Sequence, residues 1–250
     1  MRQKKPYTFL TPSVFSRQTV YDRRRRKLFK IEIRDSIDLA TAKKIYLSDD
    51  YDASRLKRYS EIKEYYSSVL RAGKTPLILD CGGNIGIASQ YFSQNYDEAK
   101  ILCIEPDPAN LAQAKKNNPF SRAVLIEAAV GSQDGRGRIL DSGLGNNAYR
   151  IAAAETGSTE IVSIETLLHR YGGPNLVPFI AKIDIEGSEA DLFSKNIDWI
   201  EKFPLLIIEL HDWMLPRSRS SGNFLKSIAP LERDFVYFGE TVFSISNTLL

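Results

Sequence analysis

Apolar residues fall along this chain in two rhythms. Between residues 55 and 72, Leu56, Tyr59, Ile62, Tyr66, Val69 and Leu70 recur at helical spacing, and Gly73 and Pro76 supply a stop. From Leu77 onward the apolar residues gather instead into short runs bounded by turn residues, the pattern of strands buried on both faces. Such runs occupy 77–81, 100–104, 123–128, 179–184 and 205–210. Helical stretches are predicted between them at 84–95, at 107–118 with Pro108 in the first turn, and at 187–196. Strands alternating with helices predict the α/β class with a mostly parallel, doubly wound sheet. A helix over 224–231 and strands at 235–238 and 242–245, joined by Gly239 and Glu240, predict a closing antiparallel hairpin.

Two stretches break this rhythm. After residue 128 the pattern is irregular: Asp134-Gly-Arg-Gly137 predicts a hairpin turn, 142–147 a flexible loop, 161–164 a strand and 165–171 a short helix. An insertion of that length on a rigid sheet is a natural lid or acceptor loop. At the other end, residues 1–30 are polar and basic, and Phe9, Val14, Phe15, Val20 and Tyr21 are too scattered to define an element. The expectation there is a solvated, partly ordered arm. Its sharper readings are contact with a phosphorylated acceptor, or peripheral contact with an anionic membrane through Arg23, Arg24, Arg25, Arg26 and Lys27. The chain therefore divides into a basic extension over 1–54 and a main domain over 55–250.

Composition changes this picture in two places. The net charge of +3 hides an asymmetry: residues 1–50 carry 13 Lys or Arg against 6 Asp or Glu, and the remaining 200 carry 21 against 25. An acidic body argues against a surface built to track nucleic acid. No apolar run approaches the roughly 20 residues of a membrane span, and the N-terminus has no apolar signal region, so a cytoplasmic protein is expected. Cys81 and Cys103, the only cysteines, fall in predicted core strands and read as buried thiols of a reducing compartment.

The first strand runs into Asp80-Cys-Gly-Gly-Asn-Ile-Gly86, a strand, glycine turn and helix that open a nucleotide-binding unit. A phosphate-cradling loop would end in Gly-Lys-Ser/Thr, where this chain has Ile87 and Ala88. A dinucleotide fingerprint would need glycine at Asn84 and Ile87. Asp80, expected at the strand tip facing the crevice, adds a sign: unit charges about 4 Å apart interact by roughly 4 kcal/mol at an effective dielectric of 20. That term disfavours a pyrophosphate and favours a cation. S-adenosylmethionine (SAM), with a sulfonium, an ammonium and no phosphate, suits the pattern better than NAD. Glu105 ends the second strand 25 residues after Asp80, where an acid bonds ribose hydroxyls.

Four motifs in order, Asp80-Cys-Gly-Gly-Asn-Ile-Gly86, Ile104-Glu-Pro-Asp-Pro108 with Asn110, Ala181-Lys-Ile-Asp-Ile-Glu-Gly187 and Ile208-Glu-Leu-His211, resemble the FkbM family of SAM-dependent methyltransferases. The resemblance covers roughly residues 75–245. The chain departs from the family's commoner pattern at Cys81 and Gly83, and the basic extension lies outside it. The resemblance implies a class I SAM-methyltransferase (Rossmann-like) sheet whose antiparallel last strand sits between its neighbours. It also implies O-methylation, most often of a sugar hydroxyl in a glycan or secondary metabolite.

Ligands of such sheets bind beyond the carboxyl ends of the strands. The cofactor positions expected there are Asp80, Gly82, Asn84, Gly86, Glu105, Pro106, Glu127, Ala128 and Asp184. The catalytic candidates are His211, Asp184 and Glu186, the acceptor hydroxyl needing a base as it attacks. His211 is favoured for that base because the ordinary imidazole pKa near 6.5 matches the task. Asp184 would then hold the acceptor or the ring. Lys182 reads as a structural ion-pair partner and His169 as structural, and no metal site is read. A nucleic-acid amino-methyltransferase would carry Asp/Asn-Pro-Pro-Tyr/Phe where Asp184-Ile-Glu-Gly stands, and a cytosine methyltransferase would carry a Pro-Cys nucleophile. The alternatives to a glycan enzyme are a nucleic-acid or protein methyltransferase, or a non-catalytic SAM-binding protein.

Overall fold

From Tyr7 the basic N-terminal stretch is folded into strands, with residues 12–17 and 23–28 exposed. The computed structural model describes residues 5–48, 50–118, 122–141, 149–154, 156–214 and 216–250. Strands β1 (Tyr7–Phe9), β2 (Arg17–Asp22) and β3 (Lys27–Glu32) form an antiparallel meander, followed by helix α1 (Ser36–Leu47). The expectation of an arm failed because two of the three inward residues of β2 are polar. Gln18, Val20 and Asp22 are all buried, with Gln18 donating to the Phe15 carbonyl at 2.6 Å and Asp22 accepting from the Arg24 amide at 2.8 Å. Alternation was present, but hydrophobicity did not display it. The Arg23–Arg26 turn is partly tied down: Arg25 pairs with Asp22 at 3.0 Å, and Arg24 donates to the Tyr7 hydroxyl and to Asn95. The cationic run is thus not a free five-charge patch.

After a 3₁₀ turn at Ala53–Arg55 come α2 (Tyr59–Arg71), β4 (Thr75–Cys81), α3 (Ile87–Asn95), β5 (Lys100–Glu105), α4 (Pro108–Asn117) and β6 (Ala123–Glu127). Helix α3 starts three residues later than the periodicity predicts, because Gly82, Asn84 and Gly86 all adopt positive φ and spend the chain on a turn. Strands β7 (Ala129–Gly131), β8 (Gly135–Asp141), β9 (Tyr149–Ala153) and β10 (Thr159–Ser163) make a small sheet in the order β7-β10-β8-β9. The hairpin turn expected at 134–137 is therefore absent. Residues 132–134 bend the chain, Gly135 already belongs to β8, and β7 and β8 are separated by β10. The loop expected at 142–147 lies outside the described residues.

Helix α5 (Ile164–Tyr171), β11 (Leu176–Ile183), α6 (Glu189–Leu192), β12 (Leu205–Glu209), α7 (Gly222–Ile228), β13 (Arg233–Phe238) and β14 (Thr241–Ser246) complete the fold. Helix α6 is a single turn where residues 187–196 were expected to be helical. Glu186 and Gly187 before it and Asn196 after it are left-handed, and Phe193 leaves the helix to pack on Trp199 and Phe224 at 5.6 and 5.0 Å.

The central sheet has the order β13-β14-β12-β11-β4-β5-β6, with β14 antiparallel between β12 and β13. This is the class I methyltransferase sheet that the resemblance implies. Successive residues of each central strand enter opposite cores. Ile78, Ile101, Leu205 and Ile207 face the layer made by the N-terminal meander, α1 and α3, and Leu79, Leu102, Leu206 and Ile208 face the layer containing Leu167, Leu192, Trp199 and Phe224. Tyr7, Val20, Ile31, Ala42 and Tyr46 are members of the first core, so the N-terminal elements share it with the sheet.

Candidate active site

The carboxyl ends of β4, β5, β11 and β12 border an open cleft. Its floor is the turn after β4. Gly82 has φ +77, and a Cβ there would stand 1.8 Å from the Asp184 carbonyl oxygen, so only glycine lets this turn lie against the tip of β11. Gly82, Asn84, Glu105, Pro106 and Ala128 line one half of the cleft, and Asp184, Glu186, Ser188 and Glu209 line the other. A further wall comes from Thr41, Lys44 and Ile45 of α1 with Tyr51, residues that the motifs did not indicate.

Asp80 does not face the crevice. It is fully buried, accepts from Ser89 Oγ at 2.6 Å, and stands 3.1 Å from the Lys182 ammonium. Lys182 also donates to the Gly82 carbonyl at 2.7 Å and lies 3.6 Å from Asp184 Oδ2. The direct attraction expected between Asp80 and a ligand cation is therefore already met by a protein cation. Burial opposes the charge on Lys182, but Asp80, Asp184 and Glu209 outweigh it and raise its pKa.

Glu105 is placed as expected. Its oxygens accept from the amides of Asn84 at 2.8 Å and Asp107 at 3.0 Å, and burial, opposed by these bonds, pushes its carboxyl up to about 6. Gly86 caps α3 behind the cleft, accepting from Asn118 Nδ2 at 2.9 Å. Glu127 is exposed at the end of β6 and does not line the cleft. Ala128, one residue on, does, because successive residues of an extended chain point to opposite sides.

Beside the tips of β11 and β12, His211 is 4% exposed and stands behind Asp184 and Glu186 without lining the cleft. Its Nδ1 is 2.9 Å from Glu189 Oε1, and its Nε2 is 3.4 Å from Asp184 Oδ1 and 3.6 Å from Glu186 Oε2. Burial works against an imidazolium here, yet the neighbouring carboxylates of Asp184 and Glu189 win and raise the ring to about 11. The ordinary imidazole pKa, the reason for favouring His211 as base, is not kept. Burial opposes ionisation of Asp184 too, but Lys182 and then His211 hold its carboxyl well below the usual range. Burial and then the Asp184 charge raise Glu186 to about 8. Glu209, raised to about 7 by burial and Asp184, meets Lys44 Nζ at 2.9 Å and the Tyr51 hydroxyl at 3.3 Å. Sequence reading missed Glu189, Lys44 and Tyr51. Glu189 closes the Asp184-Ile-Glu-Gly-Ser-Glu run of acids, a faint signal, whereas nothing near Lys44 or Tyr51 marks them.

Comparison with known proteins decides the family. The description "Methyltransferase FkbM domain" matches residues 80–237, more than half of the chain. The chain belongs to the FkbM methyltransferase family. Among individual proteins, the 2-O-methyltransferase NoeI of Sinorhizobium fredii (strain NBRC 101917 / NGR234) is 39% identical over 62 residues, which span 24% of this chain and 26% of NoeI. The chain thus matches about a quarter of that relative's length. Among solved structures, monomeric WbdD is similar at TM-score 0.44 and 14% identity, covering 76% of this chain and 41% of that one. The ribosomal protein L11 methylase of Lactobacillus delbrueckii subsp. bulgaricus follows at TM-score 0.34 and 12% identity, covering 74% and 77%. These scores are low, and the fold rests on the sheet order itself. Thr41, Lys44 and Tyr51, which line the cleft, lie outside the residues that the FkbM description matches.

Proposed function

We propose that this protein transfers the methyl group of SAM to a hydroxyl, most often that of a sugar in a glycan or secondary metabolite. The observation that carries the reading is the sign of the cleft's unmet needs. Asn84 Oδ1 and Asp184 Oδ1 are buried acceptors without a hydrogen bond, Asp184 Oδ1 facing the His211 ring at 3.4 Å, and both residues line the cleft. Orphaned acceptors suit a ligand bearing N–H donors and positive charge, and they repel phosphate. Glu105 and Asn84 would hold the ribose and ammonium of SAM, with Pro106 and Ala128 against the adenine. When bound, SAM supplies an electrophilic methyl on a good leaving group. Asp184 and Glu186 face the place where the acceptor must stand, and they orient its hydroxyl and accept its hydrogen bond as oxygen attacks. His211, with Glu189 behind it, keeps these two carboxylates together. The 2-O-methyltransferase activity of NoeI supports a hydroxyl acceptor.

The test is calorimetry with SAM and NAD, followed by transfer of labelled methyl from SAM to a panel of free sugars, oligosaccharides, RNA and protein. Label in a sugar is expected. Label in RNA or protein would move the protein to another acceptor class. SAM binding with no transfer to any acceptor would leave a non-catalytic SAM-binding protein.

A further inference from the structure

We propose that Asp184, Glu186 and His211 form a divalent-cation site at the acceptor end of the cleft. The two carboxylates follow β11 and the imidazole follows β12, so the strand order assembles the group, not the sequence spacing. One donor atom from each lies within 4.8 Å of the other two. The Nε2 separations of 3.4 and 3.6 Å are close to the edge, about 3.4 Å, of a tetrahedron whose metal bonds are about 2.1 Å long.

A self-contained ion cluster would look different. Charge-assisted N–H···O bonds close to about 2.7–2.9 Å. Both Nε2 contacts are longer, and Asp184 Oδ1 is buried with no hydrogen-bond partner. His211, 4% exposed, turns Nε2 toward both carboxylates.

The surroundings repeat what metal-binding histidines need. Glu189, fully buried, holds Nδ1 at 2.9 Å and accepts from the Ile185 amide at 3.2 Å, which fixes the ring and leaves Nε2 for a metal. Three carboxylates converge on this one imidazole, and Lys182, at 3.6 Å from Asp184, is shared with Asp80. Asp184 and Glu186 line the cleft and His211 stands behind them, so three ligands would come from the protein and a further position would face the cleft. One nitrogen and two carboxylates suit a first-row ion such as Mn²⁺ or Zn²⁺ better than Ca²⁺. The ion would bind the acceptor hydroxyl and lower its pKa, a use that rests on the methyl-transfer reading; the site itself does not.

The experiment titrates the chelator-treated, full-length protein, without SAM, with Mn²⁺ followed by electron paramagnetic resonance and with Zn²⁺ followed by calorimetry. One equivalent is expected. Affinity should fall at least tenfold in His211→Ala and in Glu186→Gln, and by about 10–100-fold in Glu189→Gln. Glu127→Gln, exposed and off the cleft, should leave it unchanged. Circular dichroism confirms that each variant is folded, and SAM affinity is measured separately on the same samples. No binding at millimolar Mn²⁺ and Zn²⁺, or equal binding in a folded His211→Ala Glu186→Gln double variant, overturns the site. SAM binding and methyl transfer by a protein that takes no metal would overturn the site and leave the methyl-transfer reading standing.

Discussion

Lys182 Nζ stands 3.1 Å from Asp80 Oδ1, with the two side chains 2% and 0% exposed. The pair joins neighbouring strands, since Lys182 on β11 lies directly opposite Asp80 on β4. A buried charge that loses its partner costs about 3–5 kcal/mol. Lys182→Met should therefore destabilise the protein by about that amount in urea unfolding, and Lys182→Met with Asp80→Asn should recover a large part of it. A single variant as stable as the parent would show that Asp80 does not depend on the pair.

Tyr7 of β1 packs on Tyr46 of α1 with ring centroids 4.8 Å apart, and α1 supplies Thr41, Lys44 and Ile45 to the cleft. The meander thus braces a wall of the site. Deleting residues 1–30 should lower the melting temperature and weaken SAM binding together, in place of the dispensable arm that composition suggests. Ile31→Ala alone, at a fully buried position, should cost about 2–5 kcal/mol. Unchanged melting and SAM affinity in the deletion would return the segment to the status of an appendage.

Glu105 links stability to pH. Burial raises its carboxyl to about 6 from an ordinary 4.5. A group whose folded pKa exceeds its unfolded value stabilises the fold below the unfolded value and loses that contribution as pH rises through the folded one. The parent protein should lose up to about 2 kcal/mol relative to Glu105→Gln as pH rises from 4.5 through 6. The same variant should bind SAM about ten- to a hundredfold more weakly, having lost charge-assisted bonds to the ribose. Urea unfolding of both proteins across this range measures the first effect, and a difference that does not vary with pH refutes it.

Two glycines should respond in opposite ways. Gly82→Ala meets the Asp184 carbonyl at 1.8 Å in a left-handed turn, so the cleft must open or the fold must loosen. Gly135→Ala meets nothing within 4 Å and has no positive φ. The first should abolish SAM binding and the second should leave it intact. Retained SAM binding in Gly82→Ala would mean that the β4 turn and the β11 tip do not touch in solution.

What the sequence by itself determined was whatever depends on near neighbours along the chain. The central strands were legible because both faces of each are buried, which demands continuous apolar runs. The turn at Gly82–Gly86 was legible because positive φ selects its residue types. The acids at the strand tips could be counted for the same reason. Tertiary structure alone decided what those acids do. Ionisation depends on burial and on charges within a few ångströms, and those charges arrive from other elements. Lys182 therefore turns Asp80 from a ligand group into half of a buried pair, and Asp184 with Glu189 raises the His211 ring behind the cleft well above its ordinary value. The N-terminal strands stayed hidden because Gln18 and Asp22 are buried through hydrogen bonds, which hydrophobic periodicity does not record.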